Sequence, residues 1–215
     1  MEWTEFVFGQ YSEYSRIQII LEVIAIVMSV ISVLYSLRNS VLVFPFGIAS
    51  TLLFIYLLYQ WNLLGDMVIN GYYFIMSVYG WYYWLQNGKY DKETPITTTY
   101  KKEWWIAAAI ALVTGIAIFI LYKATGRLEN WVSYIDMLTT GIFFAGMWLM
   151  ARRKLEHWLV LMVGNIISVP LYFYKINEMY NAFSLTALLY IFLSIIAYEG
   201  YRRWKKYLNN QNLTV

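Results

Sequence analysis

An asparagine stands at position 165 in a stretch that is otherwise almost wholly apolar. Trp158, Leu161, Asn165 and Tyr172 fall at i, i+3, i+7 and i+14. That spacing lines one face of an α-helix. A carboxamide both donates and accepts hydrogen bonds, and indole and phenol rings offer flat apolar faces with a polar tip. Together they could hold a planar ligand that carries hydroxyls or an amide. The same amide could equally bond across to a neighbouring helix, a common packing device in membranes. A second stripe carries Asn70, Tyr73, Ser77, Gly80 and Trp84, and a third carries Thr186, Tyr190 and Ser194; Phe46 and Ser50 lie in a fourth segment. Tyr and Trp at the ends of apolar stretches usually form interfacial belts. That accounts for Trp81, Trp84, Trp104, Trp105 and Trp204 but not for Tyr73, Tyr190 and Asn165, which fall deeper. The candidate binding set is therefore Trp158, Asn165, Asn70, Tyr73, Tyr190, Phe46, Ser50 and Leu161.

Other chemistry is sparse. Glu22 and Asp136 interrupt apolar stretches about one turn from their starts. A carboxylate there is served by the helix N-terminal dipole and interfacial water; proton coupling would call for a deeper site with a raised pKa. His157 is the only histidine and there is no cysteine. A hydrolytic site needs a nucleophile–base pair or a set of metal ligands, and neither pattern is present. No cofactor is expected, and an enzyme is the weakest of the function classes. A structural or signalling scaffold fits the composition, but polar stripes on several helices favour a permeation path.

These residues must be positioned by membrane helices. Seven stretches are long enough to cross a bilayer: 17–37, 39–65, 67–88, 104–122, 130–151, 157–174 and 179–198. A hydrocarbon core about 30 Å thick needs roughly 20 residues of helix, and only helices or closed barrels satisfy the backbone without water. The short alternating blocks of a barrel are missing. The chain is 60% hydrophobic and 13% charged, too little polar surface to cover a soluble fold of that content. The expected fold is an all-α integral membrane protein forming one transmembrane domain, 1–215. Pro45 sits in a first turn, where proline is tolerated, whereas Pro170 interrupts a helix interior and predicts a kink.

Charge placement sets the orientation. Twelve Lys and Arg fall in loops on one face: Arg38; Lys89, Lys92, Lys101 and Lys102; Arg152, Arg153 and Lys154; Arg202, Arg203, Lys205 and Lys206. Four fall on the other: Arg16, Lys123, Arg127 and Lys175. The positive-inside rule puts the C-terminus in the cytoplasm and the N-terminus outside. The first fifteen residues hold Glu2, Glu5 and Glu13 but no Lys or Arg, the reverse of a signal peptide's basic start. The basic clusters flank helices as lipid-headgroup anchors do, and no nucleic-acid partner is expected.

Transporters are often built from repeated halves. At an offset of 115, Arg38 meets Arg153, Ser50 meets Asn165, Tyr59 meets Tyr174 and Asn62 meets Asn177. After a five-residue insertion, Gly80 meets Gly200 and Trp84 meets Trp204. The layout is a three-helix repeat over 17–88, a linker helix over 104–122 and a second repeat over 130–204. Starting four helices apart, the repeats share one orientation.

The segments Gly65-Asp66-Met67, Asn70-Gly71-Tyr72-Tyr73 and Ser77-Val78-Tyr79-Gly80-Trp81-Tyr82-Tyr83-Trp84 resemble the third-helix region of the PnuC family of vitamin transporters. So do Arg38-Asn39, Phe44-Pro45-Phe46-Gly47-Ile48 and Gly200-Tyr201-Arg202-Arg203-Trp204, a likeness spanning roughly Glu22 to Trp204. The resemblance implies a SWEET-like 3+1+3 fold and a homotrimer. It also implies facilitated diffusion of an unphosphorylated vitamin, most often nicotinamide riboside, trapped afterwards by a cytoplasmic kinase. The family's Trp-x-x-Trp-x-x-x-Asn/Asp signature reads here as Trp158, Leu161, Asn165, without the second tryptophan, and Asn70 stands where the family carries Gln. Nicotinamide riboside is thus the favoured substrate and thiamine the second, with proton-coupled symport as the alternative mechanism. Both vitamins present a cationic aromatic ring, which aromatic faces attract.

Overall fold

The computed structural model describes residues 15–61, 64–86, 94–126, 128, 131–176 and 182–213, with side chains described except at 64–65, 172–176, 182–186 and 212–213. Among these residues the chain is seven helices: α1 Arg16–Leu37, α2 Val43–Gln60, α3 Leu64–Gln86, α4 Lys101–Ala124, α5 Trp131–Ala151, α6 His157–Ile176 and α7 Ala182–Leu213. Each overlaps one of the seven apolar stretches. The helix α7 runs well past the expected end at Tyr198 into the charged tail, where Glu199 pairs with Arg203 at 2.8 Å, and α6 continues through Pro170.

Among the described residues four helices, α1, α2, α4 and α5, are long and apolar enough to cross a membrane; the apolar part of α6, His157–Leu171, is shorter. Their outward faces are large and apolar: Ile17 is 69% exposed, Trp105 70% and Leu112 65%. Water would penalise that surface heavily at about 25 cal/mol per Å², whereas lipid does not. The chain is an all-α membrane protein. Its interior mixes large side chains such as Trp84, Trp204, Phe44 and Leu149 with small ones, Ala25, Ala107, Ala145, Ala151, Ala187 and Ala197 all being buried. Small residues let helix backbones approach where hydrophobic burial no longer drives association.

The helices form two compact units, one ending at Pro95 and one starting at Ile96. In the first, α1 begins with a capping box, in which Ser15 Oγ accepts from Gln18 N–H and Gln18 Oε1 accepts from Ser15 N–H. Ser50 on α2 donates to the Ala25 carbonyl of α1 at 2.9 Å, and Ser32 on α1 donates to the Val43 carbonyl at 2.7 Å. Phe44 packs edge-on against Trp84 of α3 at 4.9 Å. Beyond α3, Thr94 is held by the Trp84 carbonyl, to which its N–H donates at 2.9 Å.

In the second unit α4 packs on α5, α5 on α6 and α6 on α7. Gly141 brings α5 onto α4 so closely that a Cβ there would stand 2.7 Å from the Ala111 carbonyl oxygen. Trp158 of α6 packs edge-on against Trp204 of α7 at 6.0 Å, the same kind of pair as Phe44 with Trp84.

The turns entering α2 and α6 are identical in backbone pattern. Arg38, Asn39, Ser40 and Val43 N–H donate to Leu34, Ser36, Tyr35 and Ser40 carbonyls. Arg152, Arg153, Lys154 and His157 N–H donate to Trp148, Met150, Leu149 and Lys154 carbonyls. Each is a Schellman ending, with Asn39 at φ 55° and Arg153 at φ 56° in its left-handed position. The common offset is 114, one less than side-chain similarity suggests. Asn39 therefore corresponds to Arg153, Phe44 to Trp158 and Thr51, rather than Ser50, to Asn165. Asn62 and Asn177 lie outside the described residues, so that expected pair has no structural reading.

Candidate functional site

Along α6, His157, Trp158, Gly164, Asn165, Ser168 and Leu171 are buried, while Val163, Ile166 and Pro170 face outward. Of the stripe read from the sequence, Trp158 and Asn165 are buried and Leu161 is half-buried. Asn165 is 6% exposed. Ser168 Oγ donates to the Gly164 carbonyl, and His157 Nδ1 lies 2.7 Å from the Lys154 carbonyl.

Against Gly164, the residue before Asn165, lies an aromatic pair. A Cβ on Gly164 would stand 2.7 Å from the Phe143 ring of α5, so the glycine is what admits that ring. Phe143 in turn stacks on Tyr190 of α7, with centroids 6.2 Å apart and planes 19° from parallel. Three helices thus gather an amide and two stacked rings within one unit. Such a cluster can hydrogen-bond one edge of a planar solute and offer its faces to an aromatic or cationic ring. Phe143 is absent from the sequence-derived set. Its only sequence signal was membership of an aromatic-rich stretch, which many residues share.

Trp158 occupies a different place. It lies seven residues before Asn165, about 10 Å along the helix at 1.5 Å per residue. Its ring sits between His157 at 4.6 Å and Trp204, and against Gly200, where a Cβ would fall 2.5 Å from the indole. It is 4% exposed, His157 is fully buried, and Trp158 Nε1 and His157 Nε2 have no hydrogen-bond partner among the described residues. Leu161 packs on Gly146 of α5. The structure therefore separates the expected α6 set: Trp158 joins the aromatic cluster at the helix start, about two turns from Asn165. The side chains of Tyr172 and Thr186 lie outside the described residues.

In the first unit, Ser50 is committed to the Ala25 carbonyl, and Phe46 stacks on Tyr35 at 5.3 Å with planes 12° apart. Asn70 Nδ2 donates to the Asp66 carbonyl of its own helix at 3.0 Å. Tyr73 meets Tyr72 edge-on at 6.1 Å. Ser77 is buried, its Oγ 3.4 Å from where a Gly47 Cβ would be. Asn70 and Tyr73 keep partly exposed side chains.

The membrane carboxylates differ from each other. Asp136 on α5 accepts a hydrogen bond from Tyr122 of α4. Glu22 Oε2 has no hydrogen-bond partner among the described residues.

The basic cluster before α6 holds what the sequence reading missed. Arg153 and Lys154 are 2% and 3% exposed, not surface anchors. Lys154 Nζ pairs with Glu103 Oε2 of α4 at 2.8 Å and donates to Thr97 Oγ1 at 2.9 Å. Arg152 lies 3.6 Å from the other Glu103 oxygen. Glu103 precedes the uncharged stretch that begins at Trp104. Burial pushes its carboxyl up, but the Lys154 hydrogen bond, the Tyr100 N–H and the charges of Lys154 and Arg152 outweigh that and hold it below the usual range. A charged pair looks the same in sequence whether its loop is solvated or folded back.

A helical membrane domain with a buried amide and stacked rings on three packed helices has the make-up of a small-solute carrier. A family model described as "Nicotinamide mononucleotide transporter" matches residues 19–206. The chain belongs to that family, the PnuC family of vitamin transporters. It is 27% identical over 187 residues to the nicotinamide riboside transporter PnuC of Escherichia coli (strain K12), covering 74% of each chain. It is 25% identical over 133 residues to the riboflavin/roseoflavin transporter RibM of Streptomyces davaonensis, covering 60% of this chain and 58% of that one. A crystal structure of the vitamin B3 transporter PnuC shares the fold, with TM-score 0.65 and 21% identity over 88% of this chain and 82% of that one.

Proposed function

We propose that this protein takes up an unphosphorylated B-vitamin, nicotinamide riboside first, by facilitated diffusion. A cytoplasmic kinase then phosphorylates the vitamin and gives the flux its direction. The observation that carries the reading is the amide of Asn165, buried on a membrane helix next to Gly164, on which the Phe143–Tyr190 stack lies, in a chain of the nicotinamide mononucleotide transporter family. In this reading Asn165 bonds a hydroxyl or the carboxamide of the substrate, and Phe143 and Tyr190 pack on its cationic ring. Asn70 and Tyr73, each with a partly exposed side chain, are proposed as further contacts. The helix bundle is oriented with the N-terminus outside and the C-terminus in the cytoplasm. Its 3+1+3 layout comes from a parallel duplication, supported by the recurring turn and by the matched pairs Phe44–Trp84 and Trp158–Trp204. The assembly is a homotrimer.

The test is equilibrium binding to purified protein. One lost hydrogen bond costs roughly 0.5–1.5 kcal/mol, so Asn165→Leu should weaken nicotinamide riboside binding about two-fold to ten-fold or more. Unchanged affinity in the folded variant would mean that the amide serves packing alone. A panel with thiamine and riboflavin ranks the substrates, and tighter binding of either would replace nicotinamide riboside in this reading.

A further inference from the structure

The turn before α6 is held by more than its backbone. Its counterpart before α2 makes the same hydrogen bonds with Ser40 in the place of Lys154, so no charged side chain is needed to form it. Lys154 nevertheless has a side chain only 4% exposed. Its ammonium reaches Glu103 Oε2 at 2.8 Å, Thr97 Oγ1 at 2.9 Å and the Thr98 carbonyl at 3.4 Å, and lies 4.9 Å from the Tyr100 ring centroid. An ammonium has three donors, and all three are used. A second arm lies two residues on. Glu156 Oε2 accepts from Thr99 N–H at 2.8 Å and from Thr99 Oγ1 at 2.6 Å. Between the arms, Thr97 N–H donates to the Arg153 carbonyl and Leu155 N–H to the Thr97 carbonyl.

Every one of these bonds joins the start of α4 and its lead-in to the start of α6. Burying a charge is costly unless it is paired and hydrogen-bonded, so the arrangement has one well-defined geometry. The first residue of α6 is His157, and Asn165 is carried on the same rigid helix about two turns further along. A shift or rotation at the latch is therefore delivered to Asn165.

We propose that Lys154 is a positioning residue for transport: with Glu103 and the Glu156–Thr99 arm it locks α6 against α4 and so sets where Asn165 meets the substrate. This rests on the reading of Asn165 as a substrate contact. No part of it requires Lys154 to touch the vitamin.

The experiment uses the full chain, purified in detergent, with nicotinamide riboside as the probe. Affinity is read by calorimetry, and hydrogen exchange is read over residues 157–165. Residues that act through a coupled network change binding by about two-fold to thirty-fold, and Lys154→Met and Glu103→Gln should each weaken binding within that range. Both should speed exchange at the start of α6. The conservative variant Lys154→Arg, which keeps the positive charge and donors for Glu103 and Thr97, should retain part of the affinity and protection that Lys154→Met loses. Folded single variants with wild-type affinity and exchange overturn the proposal, as does a folded Lys154→Arg no better than Lys154→Met. If Lys154→Met does not fold, Glu156→Ala cuts only the second arm and must move both readouts the same way; wild-type values there overturn it. If the unaltered protein binds no nicotinamide riboside, the proposed function falls by itself. The exchange readout then decides the latch, and unchanged protection in the single variants overturns it.

Discussion

Asn165 and Trp158 share a helical face yet belong to different neighbourhoods, and that difference decides what each does. Asn165 follows Gly164, on which the Phe143–Tyr190 stack lies, whereas Trp158 is pressed on Gly200 and Trp204. Phe143→Ala should therefore weaken vitamin binding while leaving α6 folded; an unaltered dissociation constant by calorimetry would remove the ring from the site. Asn39 is a residue-scale test of the turn. It holds φ at 55°, a conformation that asparagine tolerates and β-branched residues do not. Asn39→Val should cost about 1–2 kcal/mol, read as a lower thermal midpoint of the purified protein. Helical periodicity made the shared face of α6 legible from the sequence, because burial follows the 3.6-residue repeat. The ring beside Gly164 was not legible, because pairing Phe143 with Gly164 depends on how two helices cross.

At the scale of elements, small residues fix how closely helices approach. A Cβ at residue 200 would meet the Trp158 ring at 2.5 Å, so Gly200→Ala should destabilise the α6–α7 contact by about 1–3 kcal/mol, the usual cost of overpacking. An unchanged melting temperature would show that the indole has room to move. The latch at the start of α4 adds a pH dependence. Glu103 titrates below its ordinary value of 4.5 when folded. A carboxylate with a depressed folded pKa contributes stability that is fully present above its unfolded pKa and is lost as pH falls through the folded one. The stability gap between the wild type and Glu103→Gln should be constant from neutral pH down to about 5 and close below that. A gap that widened with acid would contradict the assignment. The seven helices were readable as apolar stretches, since a bilayer demands that length and composition. The register of the recurring turn was not: side-chain similarity pairs Ser50 with Asn165, while the backbone bonds pair Thr51 with it. Lys154 also read as a topology anchor, because a cluster of basic residues carries no sign of which way its side chains fold.

At the scale of the whole molecule, the account joins a membrane orientation to a transport mode. The split of twelve basic residues against four predicts a cytoplasmic C-terminus. A C-terminal reporter active only outside the cytoplasm would contradict that orientation. The mode follows from where acid groups lie. Asp136 is hydrogen-bonded by Tyr122 near the end of α4, and Glu22 sits near the start of α1. A coupled proton favours a central carboxylate with access to each side in turn, and both groups lie towards helix ends. Vitamin flux down its own gradient is thus the proposed mode, and transport by purified protein in liposomes is its test. Labelled nicotinamide riboside should enter until inside and outside concentrations are equal and then stop, with the same endpoint under an imposed pH or sodium gradient. Accumulation above the outside concentration driven by either gradient would contradict facilitated diffusion, and no protein-dependent entry at all would contradict the substrate.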